Sequence, residues 1–148
     1  MKALSLFQPW ASLVALGEKT WETRSWQTQY RGPLAIHASL SHVGDDLIVG
    51  SVEPFASVLA RHGIARILEL PRGCVLAVCV LEEVHEIDHA FASNFSDQEI
   101  AFGDWSAGRF AWMLGDVMRL AVPIPARGRQ GLWDWTPVDG EAPDADHE

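Results

Sequence analysis

The chain has 148 residues, of which 48% are apolar and 21% charged, a size and composition that suit one domain with a single buried core. Its formal net charge of −9 excludes a surface that is basic throughout, which is the usual source of non-specific affinity for phosphates. The longest nearly uninterrupted apolar run, Cys74 to Leu81, is too short to cross a bilayer, and the N-terminal residues lack the apolar stretch of a secretory signal, so we expect a cytoplasmic protein that contacts no membrane.

The acidic residues are concentrated at the C-terminal end. Residues 139–148 include five Asp or Glu and no Lys or Arg, so the rest of the chain has a net charge of only −4. We predict a domain over residues 1–138 and a flexible acidic tail over 139–148, because the tail has no large apolar residue to bury. The tail would be a solubilising end; the alternative is a competitor that screens a basic cleft.

Apolar periodicity and turn residues predict the fold class. The predicted elements, in chain order, are a strand over 2–7, a helix from Pro9 with a left-handed cap at Gly17, a strand over 34–38, a helical stretch opened by Asp45 and Asp46, a helix over 53–61 stopped by Gly63, a strand over 74–81, one helical turn over 97–101, a strand over 110–120 and a last short strand before Trp135. The continuous apolarity of 74–81 indicates a central strand covered on both faces. Short strands that do not alternate regularly with helices favour an α+β fold, a closed or nearly closed mixed β-barrel with two to four peripheral helices.

The two cysteines, Cys74 and Cys79, are predicted to be reduced and buried. Five positions apart on one strand, they should face opposite sides and cannot bridge each other. No CxxC pair is present, and His85 and His89 fall where a strand ends rather than on one helix face. The sequence therefore predicts no metal and no cofactor.

The densest polar stretch of the body is residues 17–26, between two apolar elements. If it is extended, Glu22 and Arg24 share one face, and Lys19 and Trp21 share the other. Glu22 would then fix the guanidinium fork of Arg24 so that it can read a base edge or a phosphate. The alternative is an ordinary salt bridge within a strand.

The chain has seven tryptophans, and such rings can stack on the bases of single-stranded nucleic acid. Trp10 lies on an amphipathic stripe and Trp112 in a strand, so both are expected to pack in the core. Trp21 or Trp26 is the better candidate for stacking, because alternation forces one of them away from the core.

Two further features concern polar contacts. Arg127 and Arg129, separated by Gly128, could present guanidinium groups to phosphate, or they could belong to a solvated turn. His37, inside a predicted strand, is expected to be a hydrogen-bonded core imidazole rather than a contact to ligand.

The run LSLFQPWASLVALGEKTWETRSW, followed by YRGPLAIHAS, resembles the ASCH domain, whose name stands for activating signal cointegrator homology. The family signature GxKxxExR matches Gly17, Lys19, Glu22 and Arg24. The later pieces LPRGCVLAVC and GRQGLW are similar to the same family, so the resemblance covers roughly residues 3–137.

This resemblance implies a PUA-like mixed β-barrel with a cleft around the signature, and a role with RNA, DNA or modified nucleosides. The matching positions of this chain that would line or flank the cleft are Gln8, Trp10, Lys19, Glu22, Arg24 and Trp26. One branch of the family hydrolyses N4-acetylcytidine with a threonine at the position that Glu22 occupies here. Without it, Thr20 or Thr23 would have to approach from a different face, or Glu22 or Lys19 would act as a general base.

From these observations we predict a nucleic-acid-binding module for RNA or for single-stranded or locally opened DNA. Lys19, Arg127 and Arg129 would contact phosphate, while Glu22 and Arg24 shape a pocket for one base. The alternatives are an N4-acylcytidine amidohydrolase or a ribonuclease, with Lys19 and Glu22 as catalytic residues, and a protein-interaction adaptor.

Overall fold

The computed structural model describes residues 1–42 and 49–137, and its strands form one mixed sheet. The six strands of the described residues are β1 (Lys2–Leu6), β2 (Trp21–Arg24), β3 (Gly32–Ala38), β4 (Cys74–Glu86), β5 (Phe110–Pro125) and β6 (Leu132–Asp134). Their order across the sheet is β2-β5-β4-β3-β1-β6. The predicted α+β fold with a barrel-like mixed sheet is confirmed, as a half-barrel with β2 and β6 at its two edges.

The described residues contain four short α-helices and one 3-10 turn. They are α1 (Trp10–Ala15), α2 (Phe55–Arg61), α3 (His89–Ala92), α4 (Asp97–Ala101) and the turn Ile67–Glu69. The sequence did not predict α3, which is a single turn whose signal is Asp88, a capping residue that accepts the Phe91 N–H at 2.7 Å. The helical stretch expected at Asp45 and Asp46 and the acidic tail lie outside the described residues.

Strands β1 and β3 are the parallel pair of the sheet, and the other neighbouring strands are antiparallel. Parallel neighbours need a crossover connection, and here it runs through α1 and β2. Ser5 of β1 is the register partner of His37 in β3. The crossover therefore puts β2, with most of the polar motif of residues 17–26, at one edge of the sheet, while Ser5 and His37 lie side by side near the ends of β1 and β3.

Strand β4 lies between β3 and β5, which confirms the prediction of a central strand. Both cysteines are free and buried, as predicted, and burial raises the pKa of Cys79 to about 12. The prediction that Cys74 and Cys79 face opposite sides is wrong, because both pack in the same apolar cluster. The reason is a register shift between Val75 and Ala77 that changes the alternation of side chains along β4.

Strand β5 continues to Pro125, five residues beyond its predicted end. It pairs with β4 over this whole length, and Pro125 is the register partner of Cys74. The chain then forms a loop over residues 127–131, which we call the arginine loop, before β6 pairs with β1. The length of β5 decides where this loop lies, next to the ends of β1 and β3.

Candidate functional site

Gly17 turns the chain from α1 into the polar motif. Its φ of +76° lies in the left-handed region that favours glycine. The Gly17 N–H donates to the Val14 carbonyl and the Glu18 N–H to the Leu13 carbonyl, both at 3.0 Å, which are the two hydrogen bonds of a Schellman cap. The left-handed cap predicted at Gly17 is therefore confirmed, and it directs the chain so that Lys19 points into the interior.

The Lys19 side chain has no accessible surface. Its Nζ donates to the carbonyls of Trp21 at 2.6 Å and Phe102 at 3.3 Å, and lies 3.6 Å from Glu22 Oε1. The expectation that Lys19 and Glu22 lie on opposite faces is wrong, because β2 begins only at Trp21 and its alternation does not reach Lys19. A direct contact of Lys19 with phosphate is impossible in this conformation, and its ammonium instead supports the carboxylate of Glu22.

Glu22 and Arg24 form the predicted pair. Arg24 Nη2 donates to Glu22 Oε2 at 3.1 Å and to the Ser5 carbonyl at 3.0 Å, while Glu22 Oε1 accepts the Thr23 N–H at 3.0 Å. The two side chains are 11% and 25% exposed, so the pair is partly covered but reaches solvent. The buried Nε of Arg24 has no hydrogen-bond partner among the described residues, which is rare for a buried polar atom in a folded protein.

Glu22 and Arg24 line an open cavity of about 1120 Å³, which we call the cleft. The cleft lies between the β1–α1 junction, β2 and the residues after it, the end of β3, the α4–β5 connection and the arginine loop. Its charged lining residues in the described chain are Glu22, Arg24, Asp104, Arg109, Arg127 and Arg129. Four guanidinium groups against two carboxylates make this surface cationic, although the whole chain is acidic.

Two tryptophans and the predicted glutamine take different positions around the cleft. Trp10 and Trp26 are half-buried and line it, and Trp26 packs edge-on against buried Trp112, with 4.8 Å between ring centroids. Gln8 is fully buried and absent from the lining. Its Oε1 accepts the Ser12 N–H at 3.0 Å, which places Gln8 at the start of α1.

Trp21 lies outside the cleft. Its ring packs edge-on against Phe91 at 6.0 Å and Phe95 at 5.0 Å, and is tilted against Trp105 at 6.5 Å. Of the two candidates for base stacking, Trp26 is therefore the one that the structure brings to the cleft.

Arg127 and Arg129 are exposed, and both line the cleft across from β2. His37 lies under the loop between them and is 1% exposed, as expected for a core imidazole. It also contributes to the cleft wall, which the sequence did not predict. Burial lowers the pKa of His37, so the ring is neutral at pH 7.

Glu99 of α4 supports the polar motif from outside the cleft lining, a role that the sequence did not predict. It is 8% exposed, and its carboxylate accepts the backbone N–H groups of Thr20 and Trp21 at 3.2 and 3.1 Å, together with the Thr20 hydroxyl at 3.1 Å. The available signal was Ser96, three residues earlier, whose hydroxyl caps α4 by accepting the Glu99 N–H. In a capping box Glu99 would fold back on that residue, but here it anchors the start of β2.

Asp104 and Arg109 were not predicted either, and they fix the outer wall of the cleft against β2. The Asp104 N–H donates to Thr23 Oγ1 at 3.2 Å, and Arg109 Nη2 donates to the Thr23 carbonyl at 3.3 Å. Hydrogen bonds from Ser106 lower the pKa of Asp104. Nothing local in the sequence links residues 104 and 109 to β2, because the contact is made across the fold.

The two histidines four positions apart do not converge. His85 pairs with Glu83 at 3.1 Å and packs against Trp21, while His89 begins α3. Within residues 1–42 and 49–137, no three His, Cys, Asp or Glu side chains are grouped so that they could bind a metal ion.

Comparison with known proteins identifies the family of the chain. The family model described as "ASCH domain" matches residues 4–124. This range includes the whole GxKxxExR motif, the strands β2, β3 and β4, and most of β1 and β5. The chain belongs to the ASCH domain family. The family resemblance expected from the sequence is therefore confirmed.

Curated relatives and a solved structure extend the comparison of this ASCH domain. It is 28% identical over 130 residues to activating signal cointegrator 1 of Homo sapiens and of Mus musculus, an alignment that covers 88% of this chain and 21% of each relative. The chain thus spans about a fifth of the length of these relatives. The crystal structure of ASCH from Zymomonas mobilis is 18% identical, with a TM-score of 0.51 over 84% of this chain and 72% of that one, which supports the fold.

The described helices of the ASCH domain are short. None of them is both long enough and apolar enough to span a bilayer.

Proposed function

We propose that the cleft binds RNA, or DNA in single-stranded or locally opened form. The observation that supports this most strongly is the convergence, in one open cavity, of three guanidinium groups and two half-buried indole rings. They are Arg24, Arg127, Arg129, Trp10 and Trp26. Cationic groups that follow the backbone together with aromatic rings that stack on bases are the usual combination in single-strand binding sites.

The acidic net charge does not oppose this proposal. Salt screens exposed charges over roughly 8 Å at physiological ionic strength, so a bound phosphate interacts mainly with the groups of the cleft itself. Those groups include four arginines and two carboxylates. The carboxylates of Glu22 and Asp104 pair with Arg24 and Arg109, so the lining keeps a net positive charge through Arg127 and Arg129. The cleft can therefore attract phosphates while the rest of the surface is acidic.

Each part of the cleft has a separate role in the proposal. Arg127 and Arg129 contact phosphates, because they are exposed and project from a loop at the rim. Arg24, whose fork Glu22 orients, reads one base edge, and Trp26 stacks on that base or its neighbour. Lys19 positions Glu22 from below and does not touch the ligand.

The family relation gives independent support for a role connected with nucleic acids. The curated relatives are named as activating signal cointegrators, and the matched region includes the residues of the cleft around Glu22 and Arg24. A modified nucleoside within an RNA would present the same stacking face and base edge, so it belongs to the same proposal.

The experiment is a titration of intrinsic tryptophan fluorescence with single-stranded RNA, single-stranded DNA and duplex DNA at several salt concentrations. The slope of log K against log salt should fall by about 0.7 for each phosphate that the protein no longer neutralises, so Arg127→Ala and Arg129→Ala should each reduce it by that amount. Arg119→Ala is the matched control, because Arg119 is an exposed arginine of β5 outside the cleft lining. Equal effects of all three substitutions would contradict the proposal, since the binding would then reflect general charge only.

The alternative is hydrolysis in the same cleft, either of N4-acylcytidine or of RNA. The carboxylate of Glu22, which lines the cleft, is the observation in its favour. Incubation of the parent and of Glu22→Gln with N4-acetylcytidine and with RNA separates binding from hydrolysis. Turnover that disappears in Glu22→Gln would support the hydrolase.

A protein-interaction adaptor is the other alternative. It would be favoured if the tryptophan fluorescence responded to no oligonucleotide at low salt.

A further inference from the structure

Ser5 and His37 form a hydrogen-bonded pair in the wall of the cleft. Ser5 Oγ lies 2.9 Å from His37 Nδ1, and His37 Nε2 lies 2.8 Å from the Ala126 carbonyl oxygen. Because a carbonyl oxygen can only accept, Nε2 must be the protonated nitrogen and Nδ1 the acceptor. The Ser5 hydroxyl therefore donates its proton to the imidazole, and the Trp133 indole N–H, at 3.2 Å, donates to Ser5 Oγ.

The surroundings suit proton transfer between these two groups. His37 is 1% exposed and burial lowers its pKa, so the ring is neutral and can accept a proton at pH 7. Ser5 is only partly buried and lines the cleft. The base is thus shielded from water, and the serine that bears the hydroxyl is one of the residues that line the cleft.

Gly128 brings the arginine loop into direct contact with this pair. A Cβ atom at position 128 would lie 2.6 Å from His37 Cε1 and 3.0 Å from Ser5 Oγ, so a side chain there would collide with both. The absence of that side chain lets the loop pass over the pair, and the arginines before and after Gly128 line the same cleft.

Other hydroxyls near the motif have different partners. The Thr20 hydroxyl donates to Glu99, Thr23 Oγ1 accepts the Asp104 N–H, and Ser39 Oγ accepts the Ser41 N–H. Among the described residues that line the cleft, Ser5 is the hydroxyl bonded to an imidazole.

We propose that Ser5 and His37 are a nucleophile and general base for acyl transfer from a carboxylic ester carried by a phosphate-bearing molecule. Ser5 Oγ attacks the ester carbonyl carbon as its proton moves to His37 Nδ1. The carbon–oxygen bond to the alcohol breaks, and the alcohol departs with that proton. Water then attacks the acyl-Ser5 ester, His37 accepts one of its protons and returns it to Ser5 Oγ, and the carboxylic acid leaves.

The class of substrate follows from the cations around the pair. Arg24 Nη2 donates to the Ser5 carbonyl at 3.0 Å, which places a guanidinium beside the nucleophile, and Arg127 and Arg129 flank Gly128. Three guanidinium groups that line the same cleft as Ser5 favour an anionic substrate, and the planar guanidinium fork matches the geometry of a phosphate. The phosphate part of this inference rests on the proposed binding of phosphates in the cleft, whereas the reactivity of the pair does not.

The test is covalent labelling of the full chain with a fluorophosphonate, followed by mass spectrometry of the digested protein. In the parent we expect one adduct, on Ser5, and no adduct in Ser5→Ala. Ser39→Ala, the matched control at another cleft serine, should label as the parent does. His37→Gln should slow labelling by about 100-fold or more, the usual effect of losing a general base, with a thermal melt to verify folding.

The labelling site in the parent decides the proposal even if His37→Gln fails to fold. No adduct, or an adduct on another serine, would overturn it, as would a His37→Gln variant that is folded and labels at the parental rate. Adenosine 5′-monophosphate should protect Ser5 and adenosine should not, and equal protection would overturn the phosphate preference. The labelling arm contains no nucleic acid, so its failure leaves the binding titration unaffected.

Discussion

At the scale of the residue, Lys19 shows how a motif position can serve a site without touching its ligand. Its ammonium is removed from water and has two carbonyl oxygens and one carboxylate in compensation. An isolated buried charge would be very costly, so those three partners are what allow Lys19 to be there. The consequence for function is indirect, because the ammonium fixes Glu22 and Glu22 fixes Arg24.

We predict that Lys19→Ala lowers the free energy of unfolding by about 3–5 kcal/mol, because it leaves buried acceptors without a partner. Lys2→Ala is the control, since Lys2 forms an exposed ion pair with Asp134 at 2.9 Å that should contribute no more than about 1 kcal/mol. Urea denaturation of both variants and the parent measures the difference.

The same variant distinguishes positioning from phosphate contact. If Lys19 only positions Glu22, the folded fraction of Lys19→Ala should bind oligonucleotide with an unchanged salt slope. A variant of parental stability whose salt slope falls by about 0.7 would show instead that the ammonium reaches phosphate.

At the scale of the element, the arginine loop depends on the close approach of its backbone to β1 and β3. Strand β5 carries the chain to this position, and β6 returns it by pairing with β1. Between them, Gly128 lies where any side chain would meet the ring of His37. The loop can therefore take this position only because residue 128 has no side chain.

We predict that Gly128→Ala lowers the free energy of unfolding by about 1–3 kcal/mol, the usual cost of forcing an extra methyl group into a packed site. It should also weaken oligonucleotide binding, because Arg127 and Arg129 must shift with the loop. Arg119→Ala, an exposed position outside the cleft lining, is the control and should change neither quantity appreciably. Urea denaturation and fluorescence titration provide the two measurements. If Gly128→Ala behaved like the control, the tight contact with His37 would have no role in placing the loop.

At the scale of the whole molecule, charge is distributed so that the cleft and the rest of the chain differ in sign. The cleft lining is cationic, while the sequence as a whole is at −9, with five of its acidic residues in positions 139–148. Such separation allows an acidic protein to remain soluble and still attract an anionic ligand at one place.

We predict that a chain ending at residue 138 has the same free energy of unfolding as the parent to within about 0.5 kcal/mol, and so nearly the same melting temperature. The reason is that the removed residues include no large apolar side chain. Its affinity for oligonucleotide at low salt should rise, since the net charge becomes less negative by five, and the difference should vanish at high salt. Thermal melts and fluorescence titrations test the two parts. A clear loss of stability would mean that these residues belong to the domain.

The sequence by itself determined those features that depend on residues close together along the chain. The glycine cap of α1, the central strand and the alternation that pairs Glu22 with Arg24 were predicted because hydrophobic period, turn chemistry and short spacing are local signals. Family membership followed in the same way, from the order and spacing of one motif.

Only the tertiary structure decided burial and the contacts made across the fold. It placed Lys19 beneath Glu22, brought Glu99 to the start of β2, moved Cys74 and Cys79 to one face through a bulge, and set His37 against Ser5. The physical reason is that such contacts depend on which surfaces the packed sheet brings together, and residues distant in sequence have no local signal of that meeting.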